Sequence, residues 1–167
     1  MKLVWTKSSS PLSVLIRAIT GDECSHFAFV FETAAKGLMF ESNLLGTHPA
    51  FYLSSLKTHT VVHSLDVPMS IEVEDKVWDL IVQKYDGKKY DYLGALYLGW
   101  RKILLRWFKL AMPAKNAWSR SDSFYCDDLY DILNIAPGFP VLDVTGAMKT
   151  PHDVWQELKD WSPSGII

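Results

Sequence analysis

The chain has little cysteine: of its 167 residues only two, Cys24 and Cys126, carry a thiol. Two thiols cannot build the disulfide framework of a small secreted domain. The first ten residues also lack the apolar stretch of a secretory signal. We therefore expect a reducing, cytoplasmic location, with an oxidised Cys24–Cys126 pair as the alternative.

The chain also lacks an excess of charge and the common ligand-binding fingerprints. Its 17 Lys and Arg against 19 Asp and Glu give a formal net charge of −2, which argues against a general affinity for nucleic acid. Without a phosphate-binding glycine loop or a dinucleotide motif, we expect no cofactor. His59 and His63 have the spacing of a helical metal pair, but in the strand predicted there they stand about 13 Å apart, so we expect no metal.

What the chain has is enough apolar sequence for one core. Apolar residues make up 49% of it, a chain of this length buries about 70% of its unfolded surface, and no repeat or linker divides it. We therefore expect one domain over residues 1–167. Periodicity and capping residues predict helices at 11–20, at 70–85 and from Pro151, strands at 24–32, 37–43 and 58–67, a loop through Gly46 and Pro49, a loop over 113–123, and an irregular segment over 137–146. Few connections suit parallel crossovers, so the expected class is α+β with a small antiparallel sheet.

His26 opens a strand with strict alternation. Phenylalanines at every second position after it predict a core-facing side, and His26 falls on the other side. Residues 33–37 predict a tight turn into the returning strand. A four-residue loop would set Glu41 opposite Ala28 and diagonal to His26, at roughly 7 Å between backbones, which the two side chains can bridge.

Cys126 lies in a segment that predicts the first turn of an amphipathic helix. With Ser123 as N-cap, Cys126 is the third helical residue, where free N–H groups and the helix dipole favour a thiolate. Asp127 and Asp128 oppose this, so activation of the thiol requires a protonated histidine. A cysteine on an apolar helix face can equally be a packing residue. With His26 and Glu41, however, it supplies the groups of nucleophilic acyl transfer.

Five short motifs carry a resemblance to a known family. They are Ser-Pro-Leu-Ser-Val-Leu-Ile-Arg at 10–17, Ser-His-Phe-Ala-Phe-Val at 25–30, Phe-Glu at 40–41, Lys-Tyr-Asp-Tyr-Leu-Gly at 89–94 and Phe-Tyr-Cys-Asp-Asp-Leu at 124–129. Their order resembles the circularly permuted NlpC-type papain-like proteins of the YiiX-like branch, in which the histidine strand precedes the cysteine helix. The resemblance implies a permuted papain-like fold, with the sheet packed against helices that include the cysteine helix.

The same resemblance implies a function. Cys126 corresponds to the nucleophile, His26 to the base and Glu41 to the orienting acid of a thiol hydrolase that cleaves peptide, isopeptide or cell-wall-type amide bonds. Lecithin retinol acyltransferase-like relatives of this fold make a lipid acyl hydrolase or acyltransferase the first alternative. A non-catalytic interaction module on the same fold is the second. The expected partner is therefore a peptide-like or acyl substrate.

Residues 92–112 are apolar but carry four basic residues, so they are too charged to span a membrane. Lys102, Arg106 and Lys109 form one stripe, which suits a helix lying on a membrane surface. We favour the other interpretation, a core helix with a solvated edge. His48 is expected to be an exposed loop residue, and Asp91 to anchor a turn.

Overall fold

The computed structural model describes residues 1–32, 37–43, 45–112, 123–124 and 149–160. Cys126 and the predicted irregular segment 137–146 lie outside these residues. The strands are β1 (Lys2–Ser8), β2 (His26–Phe31), β3 (Leu38–Asn43), β4 (Gly46–Phe51), β5 (His59–Asp66), β6 (Lys89–Tyr90) and β7 (Ser123–Phe124). The helices are α1 (Pro11–Thr20), α2 (Tyr52–Ser55), α3 (Ile71–Tyr85), α4 (Tyr92–Ile103), which continues as a π-helical segment (Leu104–Phe108), and α5 (Pro151–Leu158).

Five strands form one antiparallel sheet in the order β4-β3-β2-β1-β5. This confirms the expected α+β class with an antiparallel sheet. β6 and β7 form a separate two-stranded parallel sheet, in which Tyr90 pairs with Phe124.

The two faces of the sheet bury different side chains. One face carries the aromatic core, in which Trp5, Phe27 and Phe29 pack with Ile81 of α3 and Leu158 of α5. The opposite face buries a smaller cluster, formed by Val4, Ala28, Val30 and Met39. The alternation predicted for β2 is confirmed, because its phenylalanines belong to the aromatic core. His26 belongs to the other face, which is less thickly covered.

Helix boundaries follow the predicted capping residues. The Ser10 side chain accepts from Ser13 N, and α1 ends at Gly21 in the left-handed region, at φ 78°. Thr150 and Asp153 form a complete capping box at α5. Asp91 caps α4 by accepting a 2.9 Å hydrogen bond from Gly94 N, a local role consistent with the predicted turn.

Two strands of the five-stranded sheet were not predicted, each for a physical reason. β1 is covered on both faces, and Leu3, Val4 and Trp5 are fully buried, so the strand shows no alternation to detect. β4 contains Gly46 and Pro49, and the prediction of a polar loop there is wrong. It is an edge strand of the five-stranded sheet, paired there with β3, and an edge is a place where a sheet tolerates proline.

Two further expectations are corrected. Ser123 and Phe124 form β7, so a helix with Ser123 as its N-cap is wrong: Phe124 is extended where that helix would already have begun. The segment from Tyr92 is helical but is not buried on several sides, because Trp100 and Trp107 are at least half exposed.

None of the helices in the described part of the chain combines the length and the hydropathy that a membrane span requires.

The aromatic core predicts a large and selective effect of truncation. Phe29→Ala removes a fully buried ring from the middle of the sheet, and we expect it to lower the free energy of unfolding by about 3–5 kcal/mol. Phe51→Ala at the end of β4, where the ring is 69% exposed, is the control and should change it by less than about 0.5 kcal/mol. Urea unfolding of both variants measures this. Equal losses would contradict the described core.

Candidate functional site

His26 is positioned by the hydrogen bonds of the residue before it, Ser25. Ser25 N donates to Thr6 O of β1 at 3.0 Å, and the Ser25 and Ser13 hydroxyls are 2.6 Å apart. Ser13 lies buried near the start of α1 and also accepts from Ser8 N. The backbone directly before His26 is therefore held by contacts with both β1 and α1.

Glu41 lies where the strand pattern predicts it. Ala28 pairs with Glu41 in the β2–β3 register, which confirms the predicted alignment, and His26 lies diagonally across. His26 Nε2 is 2.9 Å from Glu41 Oε2, with side-chain exposures of 12% and 9%. A carboxylate only accepts hydrogen bonds, so a neutral His26 donates from Nε2 and keeps Nδ1 as its proton acceptor.

Glu41 is the centre of a small polar network. Asn43 Nδ2 donates to Glu41 Oε1 at 3.0 Å, and His48 Nε2 lies 3.5 Å from the same oxygen. Burial acts to raise the pKa of the Glu41 carboxyl. The hydrogen bond from His26 and the positive charge available on His26 and His48 outweigh it, so the pKa is lowered from its usual 4.5. Glu41 is therefore held as a carboxylate.

His48 and His59 join the site without having been predicted to do so. His48 pairs with Glu41 across β3 and β4, so its assignment to an exposed loop is wrong. The His59 ring centroid lies 5.9 Å from that of His26, whereas His63 stacks on Trp155 at 4.2 Å. The feature of the sequence that could have identified His48 is its separation from Glu41 along the chain. When the chain turns back after Asn43, these two residues come to lie opposite each other.

The described residues contain no group of His, Cys, Asp and Glu side chains that could hold a metal ion. The contacts around Glu41 are hydrogen bonds and charge interactions with His26, Asn43 and His48.

His26 and Glu41 line an open cleft of about 640 Å³. Its other walls come from the start of α1, the end of β3, and β6; the lining residues include Ser10, Leu12, Ser13, Ile16, Ser25, Ser42, Asn43, Leu45, His59 and Tyr90. A molecule that enters this cleft from solvent would therefore lie beside the His26–Glu41 pair.

The strand β6 is brought to this cleft by close backbone contact with β4. Thr47 N donates to Lys88 O and Gly87 N donates to Thr47 O, each at 3.0 Å. Gly46, at φ 112°, allows the approach, because a Cβ there would lie 2.3 Å from Lys88 O. Tyr90 consequently reaches the cleft, and its backbone partner is Phe124.

The structure describes two of the three predicted site residues. The structure brings His26 and Glu41 together at hydrogen-bond distance, and Cys126 lies outside the described residues. Cys24, the other cysteine, is a free, fully buried thiol. Burial and then the charge of Asp22 raise its pKa to about 12, so at neutral pH this thiol is both buried and protonated.

A second cavity adjoins the cleft. It is a groove of about 540 Å³ between α1 and α4, and its walls are almost wholly apolar. Leu12, Ile16 and Tyr90 line both the groove and the polar cleft. A molecule with a polar end and an apolar end could occupy both at once.

The lowered pKa of Glu41 predicts a pH-dependent contribution to stability. Since the folded pKa lies below the usual 4.5, the carboxylate stabilises the native state above that pH and loses this effect as pH falls through the folded value. We expect Glu41→Gln to cost about 1–3 kcal/mol at about pH 6, and the difference from wild type to shrink towards pH 3. Urea unfolding across this range measures it.

The control is Glu32→Gln, which removes a carboxylate from an exposed ion pair with Lys2 and should alter stability little at any pH. A Glu41→Gln difference that stays constant as pH falls would contradict a Glu41 held ionised by its neighbours.

Comparison of the chain with models of protein families, with curated proteins and with solved structures found no match. Its function is therefore argued from the geometry and chemistry of the site.

Proposed function

We propose that the protein is a thiol-dependent hydrolase of amide bonds, acting on peptide, isopeptide or cell-wall-type substrates through Cys126, His26 and Glu41. The single domain would have the circularly permuted papain-like arrangement. The observation that carries the proposal is the 2.9 Å hydrogen bond between His26 Nε2 and Glu41 Oε2 on the wall of an open cleft. An imidazole oriented by a carboxylate beside a solvent-filled space is the general-base half of a catalytic triad.

The proposed nucleophile, Cys126, is separated by only a short length of chain from a strand that lines the cleft. Tyr90 lines the cleft and pairs with Phe124 through the backbone. Cys126 follows Phe124 by two residues, and two residues of backbone span at most about 7 Å. This supports a thiol close to the cleft, although a hundred residues separate it from His26 in the sequence.

In the proposed reaction, Nδ1 of His26 takes the thiol proton and the sulfur attacks the carbonyl carbon. The tetrahedral oxyanion is stabilised by N–H groups of the backbone next to the thiol. Collapse breaks the carbon–nitrogen bond, and the imidazolium returns its proton to the leaving amine. Water, deprotonated by His26, then hydrolyses the thioester and regenerates the thiol. Glu41 stabilises the imidazolium in both halves of the cycle.

The pH dependence of alkylation tests the proposal without knowledge of the substrate. Because the Cys24 thiol is buried and has a pKa of about 12, iodoacetamide labelling of the native protein reports on Cys126. We expect the labelling rate to rise with a midpoint at least one unit below the free-thiol value of about 8.5. His26→Ala should move the midpoint back to the free-thiol value. Peptide mapping by mass spectrometry identifies the labelled cysteine.

The matched control is His63→Ala, which removes another strand histidine, one stacked on Trp155 and outside the cleft lining. It should leave the labelling midpoint unchanged. A wild-type midpoint at or above the free-thiol value, unaffected by His26→Ala, would favour the non-catalytic interaction module and overturn the hydrolase.

The apolar groove favours one alternative, a lipid acyl hydrolase or acyltransferase. In this case the carbonyl lies in the polar cleft and the acyl chain lies between α1 and α4, where the shared residues Leu12, Ile16 and Tyr90 connect the two spaces. Each buried methylene adds about 0.8 kcal/mol to binding, so chain length would decide the preferred substrate.

A chain-length series distinguishes the two functions. With p-nitrophenyl esters of increasing length, a lipid enzyme should gain at least about tenfold in kcat/KM from the shortest to a medium-length acyl chain. Gly99 lines the groove, and Gly99→Leu should abolish this gain while leaving the shortest ester unaffected. Gly99→Ala is the control, because its Cβ meets only Ile19 at 3.8 Å. Rates that do not depend on chain length would contradict the lipid alternative.

A further inference from the structure

The outer surface of α4 and its π-helical continuation is strongly apolar. Leu96, Trp100, Trp107 and Phe108 are 65%, 50%, 71% and 61% exposed, and Leu105 and Leu110 are exposed beside them. We call these six residues the tryptophan face. Tyr97 and Leu98, on the inner side of the same helix, are buried. Apolar side chains thus lie on the solvent-facing side of this helix as well as on the side that packs against the protein.

The tryptophan face is extended by α1. The two helices pack together, and Val14 and Leu15 of α1 are about half exposed. Leu15, Leu96 and Trp100 all line the groove between the two helices, so the exposed apolar side chains of α1 and α4 adjoin. Large exposed apolar patches are uncommon on a soluble monomer and mark a binding surface.

The charge of these two elements has one sign. Residues 11–20 and 92–112 contain five of the 17 basic residues of the chain and none of its 19 acidic ones. The rest of the chain is therefore acidic. Asp153 of α5 neutralises Lys102 through a 2.9 Å ion pair. Arg106 and Lys109 are exposed and lie in the chain between residues of the tryptophan face, with the Arg106 guanidinium beside Gly21 at the end of α1.

We propose that the tryptophan face docks on an anionic lipid bilayer. Tryptophan and phenylalanine side chains bury their rings at the boundary between headgroups and acyl chains, and adjacent arginine and lysine side chains pair with lipid phosphates. A helix parallel to the membrane plane needs no spanning length. Its apolar face enters the bilayer while the buried face stays packed on the protein.

The charge pattern also distinguishes the bilayer from a second copy of the chain. In a twofold dimer the same patch is used by both copies, so Arg106 and Lys109 of both copies would be brought into one interface. No acidic residue in either helix is available to neutralise them. An anionic membrane supplies the missing negative charge.

Vesicle co-sedimentation tests the proposal. The Cys126→Ala protein, used so that turnover plays no part, should bind vesicles of phosphatidylcholine with about 30% phosphatidylglycerol, and bind pure phosphatidylcholine at least about tenfold more weakly. Trp107→Ala/Phe108→Ala should lose about tenfold or more. Arg106→Gln/Lys109→Asn should lose about fivefold per charge on anionic vesicles alone. Asparagine suits position 109, where φ is 56°.

Two matched controls separate a specific surface from general stickiness. Phe51→Ala/Leu53→Ala removes two exposed apolar side chains, and Lys57→Gln/Lys76→Gln removes two exposed charges, in each case outside the tryptophan face. Both should bind vesicles as the parent does.

Three results would overturn the proposal. They are no sedimentation with anionic vesicles, equal binding by the parent and Trp107→Ala/Phe108→Ala, and a dimer in light scattering that Trp107→Ala/Phe108→Ala dissociates. The last would assign the face to a second copy. None of these results bears on Cys126 labelling, so the membrane proposal and the hydrolase proposal fail separately.

Discussion

The candidate site depends on one alignment, the antiparallel register of β2 and β3 that sets Ala28 opposite Glu41. A shift of one residue would turn Glu41 to the aromatic face of the sheet, where a carboxylate would lie among phenylalanine rings. The side-chain pattern of the sheet thus enforces the register, because Phe29 and Phe40 pair on the aromatic face while His26 and Glu41 meet on the other. The same burial that stabilises the fold aligns the polar pair.

The network around Glu41 is asymmetric, because its two carboxylate oxygens have different partners. One carboxylate oxygen contacts His26 at 2.9 Å, and the other receives Asn43 and lies 3.5 Å from His48. The Asn43 amide carries no charge and holds Glu41 in place by its hydrogen bond. The His26 ring is therefore oriented by a carboxylate whose other oxygen is itself fixed.

The local parts of the structure were predictable from sequence, and the long-range parts were less so. The hairpin was predictable because both of its strands alternate and a short turn joins them, which fixes Glu41 relative to His26. The caps of α1 and α5 were predictable because Ser10 and Thr150 act on backbone a few residues away. β4 was missed because its glycine and proline belong to an edge strand, and with it the role of His48. The extended pair of Tyr90 with Phe124 depends on the docking of Lys88 against Gly46, a backbone contact between distant segments that no local pattern reveals.

The short hydrogen bond between Ser13 and Ser25 links two regions with different tasks. Through it, the inner edge of α1 fixes the residue directly before His26, while the outer edge of the same helix presents Val14 and Leu15 to solvent. Because Ser25 directly precedes His26, the seating of α1 and the placement of the imidazole depend on the same pair of hydroxyl groups.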